Sequence, residues 1–134
     1  MTEAMKWLEQ NGPETVKPTK LTWERGPIDP ESGVSAMYMV EGMDYTNNPS
    51  AQAGMPNELL ILFQSGIVPE NGINGVTPEI LLEILIDRFE GYQSGNFACE
   101  ENDAALTGMR DALAAIQRRR AERAERGVLN TMQK

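Results

Sequence analysis

The sequence contains no histidine and a single cysteine, Cys99. Without histidine there is no Ser-His-Asp or Cys-His constellation, no imidazole acid–base catalysis, and few routes to a zinc or non-haem iron centre. One cysteine excludes an internal disulfide and a thiolate cluster, and it fits a reducing compartment. No apolar run approaches the ~20 residues of a bilayer span. The opening MTEAMKWLEQ is too polar for a secretory signal, so a soluble, cytoplasmic protein with no membrane partner is expected. Positive charge is also scarce. Twelve Lys and Arg stand against 20 Asp and Glu, a net −8 at neutral pH, which disfavours long nucleic acid as a partner. The remaining composition is ordinary, with 40% hydrophobic residues over 134 positions. A chain this short buries a modest core, and self-association is an expected further source of stability.

The acidity is uneven. Arg118, Arg119, Arg120, Arg123, Arg126 and Lys134 outweigh Glu122 and Glu125, so the end of the chain from Arg118 carries +4 and residues 1–117 carry −12. Such an asymmetry points to an anionic partner at one end.

Punctuation divides the chain. Residues 3–10 predict a short helix that Asn11-Gly12-Pro13 halts. Up to residue 76, glycine and proline recur between short apolar stretches, Leu21–Trp23, Val34–Val40 and Leu59–Phe63, with strands expected at Met37–Val40 and Leu59–Phe63. The polar segment Tyr45–Pro56 is a long loop. Two stretches echo each other. Trp23, Gly26, Pro30, Glu31, Gly33 and Val34 align with Phe63, Gly66, Pro69, Glu70, Gly72 and Ile73. The echo reads either as one turn solution used twice or as a duplicated hairpin.

From Thr77 the pattern turns helical. Thr77 is an N-cap, Pro78 stands at the first helical position, and Ile80, Leu81, Ile84, Leu85 and Phe89 follow a 3.6-residue period that Leu82 and Ile86 widen, as in a helix buried on two sides. Ser94-Gly95-Asn96 turns the chain. A second helix is expected from Ala98 to Arg126, with Leu106, Met109, Leu113 and Ile116 as its apolar stripe and Gly127 as its stop. The fold class is therefore α+β: a turn-rich antiparallel β segment, residues 1–76, then an antiparallel two-helix hairpin, residues 77–134. At 1.5 Å per residue the second helix overhangs the first by ~20 Å, and the arginines sit on the overhang.

Four features bear on chemistry. Arg119 and Arg123 are one turn apart and share a helix face, where two planar forks suit a diphosphate or cyclic phosphate; the same arginines also read as a solvated, dipole-compensating helix end. Tyr92 stands at the hairpin turn and reads either as a base-stacking ring or as a plug for the turn. Asn102 offers a donor and an acceptor. The loop Asn71–Gly75 has glycines that permit close backbone approach to an anion, although it is no Walker loop and a plain turn explains it as well. No carboxylate pair has acid–base spacing, so no enzyme is expected.

The string NGINGV…LLEILIDRFEGYQSGNFACEEN…RR..R..RGV, residues 71–128, resembles the helical hairpin shared by two groups of phage immune-evasion proteins, the anti-Thoeris and anti-CBASS sponges. The β-rich segment before it is more like the anti-Thoeris group. Glu100 stands where members usually carry arginine, Arg120 where threonine is common, and Leu129-Asn130 replaces Glu-Gly. The resemblance implies a non-enzymatic sponge, without cofactor or metal, that sequesters cyclic ADP-ribose isomers in the host cytoplasm. It implies dimers or hexamers with pockets between protomers. It places Tyr92, Asn102, Arg119 and Arg123 around that ligand, and makes Gly72, Asn74 and Gly75 candidates for a second site taking cyclic di- or trinucleotides. The competing reading is a protein–protein adaptor whose hairpin only drives oligomerisation.

Overall fold

The computed structural model describes residues 20–129 and residue 131; the helix expected over residues 3–10 lies outside them. The chain divides into two compact units, one ending at Leu62 and one beginning at Phe63. The architecture is α+β, a three-stranded antiparallel sheet followed in the chain by helices.

In the first unit, β1 (Thr22–Arg25), β2 (Met37–Glu41) and β3 (Leu59–Leu62) lie in sequence order. Trp23 pairs with Val40 and Val40 with Leu59, while Arg25 pairs with Tyr38 and Tyr38 with Ile61. Because side chains alternate along a strand, these two rows share one face, apolar apart from Arg25. Trp23 and Tyr38 meet diagonally on it, ring centroids 5.8 Å apart, yet Trp23 stays 64% exposed.

Carboxylates organise the connections. After β1 the Pro30–Gly33 turn closes on Asp29, whose side chain accepts from the Glu31 N–H (3.1 Å) and the Ser32 hydroxyl (3.0 Å). Gly33, at φ 81°, donates its N–H to the Asp29 carbonyl (2.8 Å). Inside the 45–56 loop, Asp44 caps a 3₁₀ turn, Tyr45–Asn47, by accepting from Thr46. The Glu31 amide, then the Ser32 hydroxyl, hold the Asp29 carboxyl below the ordinary aspartate value of 3.8, and the Thr46 hydroxyl and amide do the same for Asp44. The charged forms are favoured in the fold. Their contribution is therefore complete above 3.8 and is lost as pH falls through the lower folded values. Carbon-detected titration should place both carboxyls below 3.8, and Asp29→Asn should remove the acid sensitivity of the Glu31 amide proton. Midpoints at or above 3.8 would contradict these turns.

The second unit has α1 (Val68–Asn71), α2 (Pro78–Gln93) and α3 (Glu100–Glu125). The second copy of the echoed motif is α1, one helical turn ending at Gly72 with φ 69°, where the first copy is a strand-linking turn. What the copies share is a left-handed glycine, Gly33 or Gly72, which stops the chain in each. The reading as one turn solution used twice is the one that fits, and the duplicated hairpin does not. Thr77 caps α2 as expected, its hydroxyl accepting from Ile80 N–H, and α2 runs two residues past Gly91.

Helix α3 lies antiparallel to α2, since Arg110 pairs with Glu90 (2.8 Å) and Arg120 with Glu79. Leu106 is buried, and Met109, Leu113 and Ile116 are half-buried with it. On α2, Leu81, Leu82, Ile86 and Phe89 are half-buried, whereas Ile80 and Ile84 remain exposed, Ile84 at 60%. One expected apolar face of α2 is thus exposed, against the expectation of a helix buried on two sides. By length α3 exceeds α2 by ten residues, ~15 Å. The Glu79 pairing ties Arg120 to the first turn of α2, so α3 extends past that pairing by little more than its last turn, where Arg123 is buried; the expected ~20 Å free overhang is not there. No helix among the described residues is long and apolar enough to cross a membrane.

Candidate functional site: two ends of a helical hairpin

At the turn between α2 and α3, aromatic rings gather. Tyr92 meets Phe89 edge-on at 5.5 Å and Phe97 edge-on at 6.3 Å, and the Arg88 guanidinium lies 5.2 Å from the Tyr92 ring centroid. Phe97 is 73% exposed. Asn102, in the first turn of α3, donates its side-chain amide to the Phe97 carbonyl (3.0 Å). The structure therefore brings Tyr92 and Asn102 to the same end of the hairpin, joined through Phe97. Asn102 keeps its Oδ1 for another donor.

Two residues at this turn carry no obvious sign in the sequence. Gln93 latches the turn with its amide, accepting from the Cys99 N–H (3.0 Å) and donating to the Cys99 carbonyl (3.1 Å). Cys99 is the N-cap of α3, its sulfur accepting from the Asn102 N–H (3.4 Å). Thiols are weak acceptors. The only trace of this role in the chain is position: Cys99 precedes Glu100, Glu101 and Asp103, an acidic first turn that suits a helix start.

Arg119 and Arg123 lie at the other end of α3 and differ sharply. Arg119 is exposed and has no hydrogen bond or ion pair among the described residues. Arg123 is 8% exposed, and its Nη2 donates to the carbonyls of Val128 (2.9 Å) and Thr131 (3.2 Å). Between them Arg120 is engaged by Glu79, and further on Arg126 pairs with Glu122. Asn102 and Arg119 are 17 helical residues apart, ~26 Å. One chain does not bring the two ends together.

The loop after β3 is a closed amide network. Gln64 donates to the Gly72 carbonyl (2.8 Å) and accepts from the Asn74 N–H (3.0 Å). The Asn74 side chain bonds the Ser65 N–H (2.9 Å) and the Ser65 carbonyl (2.8 Å). Asn74 thus spends its side chain within the loop. Gly75 passes against the Phe63–Gln64 backbone, where a Cβ would lie 2.5 Å from the Phe63 carbonyl carbon. Ile73 projects from the loop, 85% exposed.

The family model for the Acb2/Tad1 hairpin domain matches residues 55–121, half of the chain. The chain belongs to this family. A relative, Thoeris anti-defense 1 of Bacillus phage SBSphiJ7, is 43% identical over 72 residues, covering 54% of this chain and 51% of the relative. The chain thus spans about half the length of the curated relative it matches. The family match contains Gly72, Asn74, Gly75, Tyr92, Asn102 and Arg119; Arg123 lies two residues past its end.

The two arginines should separate on mutation. Arg119→Ala should leave the melting temperature unchanged, because the exposed side chain has no hydrogen bond or ion pair among the described residues. Arg123→Ala removes a buried guanidinium together with its bonds to the Val128 and Thr131 carbonyls, and should cost about 1–3 kcal/mol of stability. Thermal unfolding of the two variants, side by side, checks this; equal melting temperatures would contradict the burial of Arg123.

Proposed function

We propose that the protein is a non-enzymatic anti-defence factor that captures cyclic ADP-ribose isomers in the host cytoplasm, blocking the antiphage response they trigger. The name of the 43% identical relative, Thoeris anti-defense 1, supports the anti-defence role. The chemistry of the hairpin supports the ligand class. An aromatic ring suits the purine, the Asn102 amide suits a ribose hydroxyl or base edge, and the exposed Arg119 guanidinium suits the diphosphate.

The observation that carries the reading is the placement of these groups at opposite ends of α3. Tyr92 and Asn102 stand ~26 Å from Arg119, too far for one compact ligand. An antiparallel second protomer supplies its arginine end to the first protomer's Tyr92–Asn102 end and makes two equivalent pockets. The uncovered Ile80–Ile84 face of α2 gives such a partner apolar surface to bury. The assembly is an even-numbered homo-oligomer, a dimer or a hexamer built from dimers. The loop carrying Gly72, Asn74 and Gly75 forms the second site, for cyclic di- or trinucleotides, through its backbone rather than through the Asn74 side chain.

Sequestration is tested by recovery. The protein should deplete free cyclic ADP-ribose isomers from solution, and heating should return the intact molecule, identified by mass. Ligand at 100 times its Kd should raise stability by about 2.7 kcal/mol. Recovery of a ring-opened product would make the protein an enzyme; no depletion, with a monomer by sedimentation, would remove the sponge.

A further inference from the structure

Phe97 is the most exposed aromatic ring among the described residues, at 73%, although the chain around it is held on both sides. The Ala98 N–H donates to the Gly95 carbonyl (3.3 Å), and Gln93 engages both backbone groups of Cys99 (3.0 and 3.1 Å). The Asn102 side-chain amide donates to the Phe97 carbonyl (3.0 Å). A ring fixed by its backbone and left open to solvent is preorganised for stacking. Tyr92 is not open in this way. It is half-buried, the Arg88 guanidinium lies over its ring, and Phe89 meets it edge-on. Tyr92 and Phe97 stand at 74° to each other, so the two cannot sandwich one flat base. A base stacks on one of them, and exposure selects Phe97.

Asn102 adds a fixed polar group beside that residue. A carbonyl only accepts, so the Asn102 amide nitrogen faces the Phe97 backbone and Oδ1 is left over. Oδ1 has no partner among the described residues and is not buried, so it meets solvent. Rotating the amide to present its nitrogen instead would forfeit the bond to Phe97. This end of the hairpin thus offers an acceptor to a donor on the ligand. Glu100, Glu101 and Asp103, in the first turn of α3, make the surroundings negative, which favours an amino group and repels a phosphate. We infer that Phe97 is a further ligand-binding residue: the base of the ligand stacks on its ring, and Asn102 Oδ1 accepts from the 6-amino group of that base, so that this end selects a 6-aminopurine over a 6-oxopurine. A 6-oxopurine sets an oxygen against Oδ1, and neither can donate. The inference deepens the cyclic ADP-ribose reading above and rests on it.

The test compares cyclic ADP-ribose isomers with their inosine counterparts, in which an oxygen replaces the amino group, by titration calorimetry on the full-length protein. The wild type should bind the inosine ligands about tenfold more weakly. Phe97→Leu keeps an apolar side chain and removes the π-face. It should weaken both ligands about tenfold and preserve their ratio, whereas Phe97→Trp should restore binding. Asn102→Ala should bring the two ligands to within about twofold of each other. A ratio kept in Phe97→Leu and lost in Asn102→Ala separates base recognition from a general loss of fold, which weakens both ligands alike. Equal affinity for the two bases in the wild type overturns the amino contact, and unchanged affinity in Phe97→Leu overturns the stacking platform. If the wild type binds no cyclic ADP-ribose isomer, the sponge reading falls, and adenosine monophosphate decides the platform by proton NMR. Upfield movement of its base protons with the wild type but not with Phe97→Leu then supports stacking on Phe97, and the lack of such movement overturns it.

Discussion

Mixing an Arg119→Glu protein with a Tyr92→Ala/Asn102→Ala protein, under conditions where protomers exchange, should restore cyclic ADP-ribose binding that neither protein shows alone. The expectation follows from the length of α3. Tyr92 and Asn102 are clustered about Phe97 at one end, and Arg119 is ~26 Å along the same helix. In the proposed assembly each pocket draws its halves from two chains. In a mixed dimer one pocket receives both lesions and the other receives none. Random exchange at equal concentrations makes about half of the dimers mixed, so roughly a quarter of all pockets should be intact. Arg119 is the right arginine to change because it has no hydrogen bond or ion pair among the described residues, and its charge reversal repels the diphosphate. Changing Arg123 would confound the result, since its guanidinium also holds the Val128 and Thr131 carbonyls. Titration calorimetry should report a stoichiometry near one quarter of the wild-type value at wild-type affinity. Confirmed exchange with no recovered sites would mean that each pocket lies within one chain.

The elements of the fold were legible where a local rule acts alone. Thr77-Pro78-Glu79 is a helix start by its own chemistry, and the cap is there. The stripe Leu106, Met109, Leu113, Ile116 faces α2 because its spacing leaves no other face apolar. Gly127 ends α3 because only glycine adopts that conformation readily. Features that depend on two distant segments were not legible. The Pro-Glu-Asn-Gly sequence reads as a turn, but that its turn is α1, closed by the Gly72 N–H on the Val68 carbonyl and held by Gln64 at Gly72, depends on a residue from outside it. Gln93 and Cys99 are unremarkable until the turn brings the amide of one to the backbone of the other. Arginines 119 and 123 look equivalent by spacing; a tail that folds back onto only one of them makes one exposed and the other buried.

The same distinction governs the glycine loop, where the largest loss of stability is expected. Gly75→Val should destabilise the second unit by about 3–4 kcal/mol, the upper range for a single substitution. Its Cβ would lie 2.5 Å from the Phe63 carbonyl carbon and 2.7 Å from the Gln64 nitrogen, and backbone cannot step aside as a flexible side chain can. The bond from the Gln64 N–H to the Val76 carbonyl (2.9 Å) and the bridge between Phe63 and Val76 would have to open. Loss of cyclic oligonucleotide binding in that variant would therefore say nothing about a phosphate. Gly72→Ala is milder but also strained, because φ 69° with ψ −177° is a region reserved for glycine, at a cost of about 1–3 kcal/mol. The informative change is Ile73→Glu. The Ile73 side chain is almost wholly solvated, so the melting temperature should hold, while a carboxylate at the rim of the loop repels any phosphate that approaches its backbone. Cyclic di- and trinucleotide binding should fall at least tenfold, with cyclic ADP-ribose binding at the hairpin unchanged. Undiminished cyclic oligonucleotide binding in Ile73→Glu would show that these glycines serve only to let the chain pass Phe63.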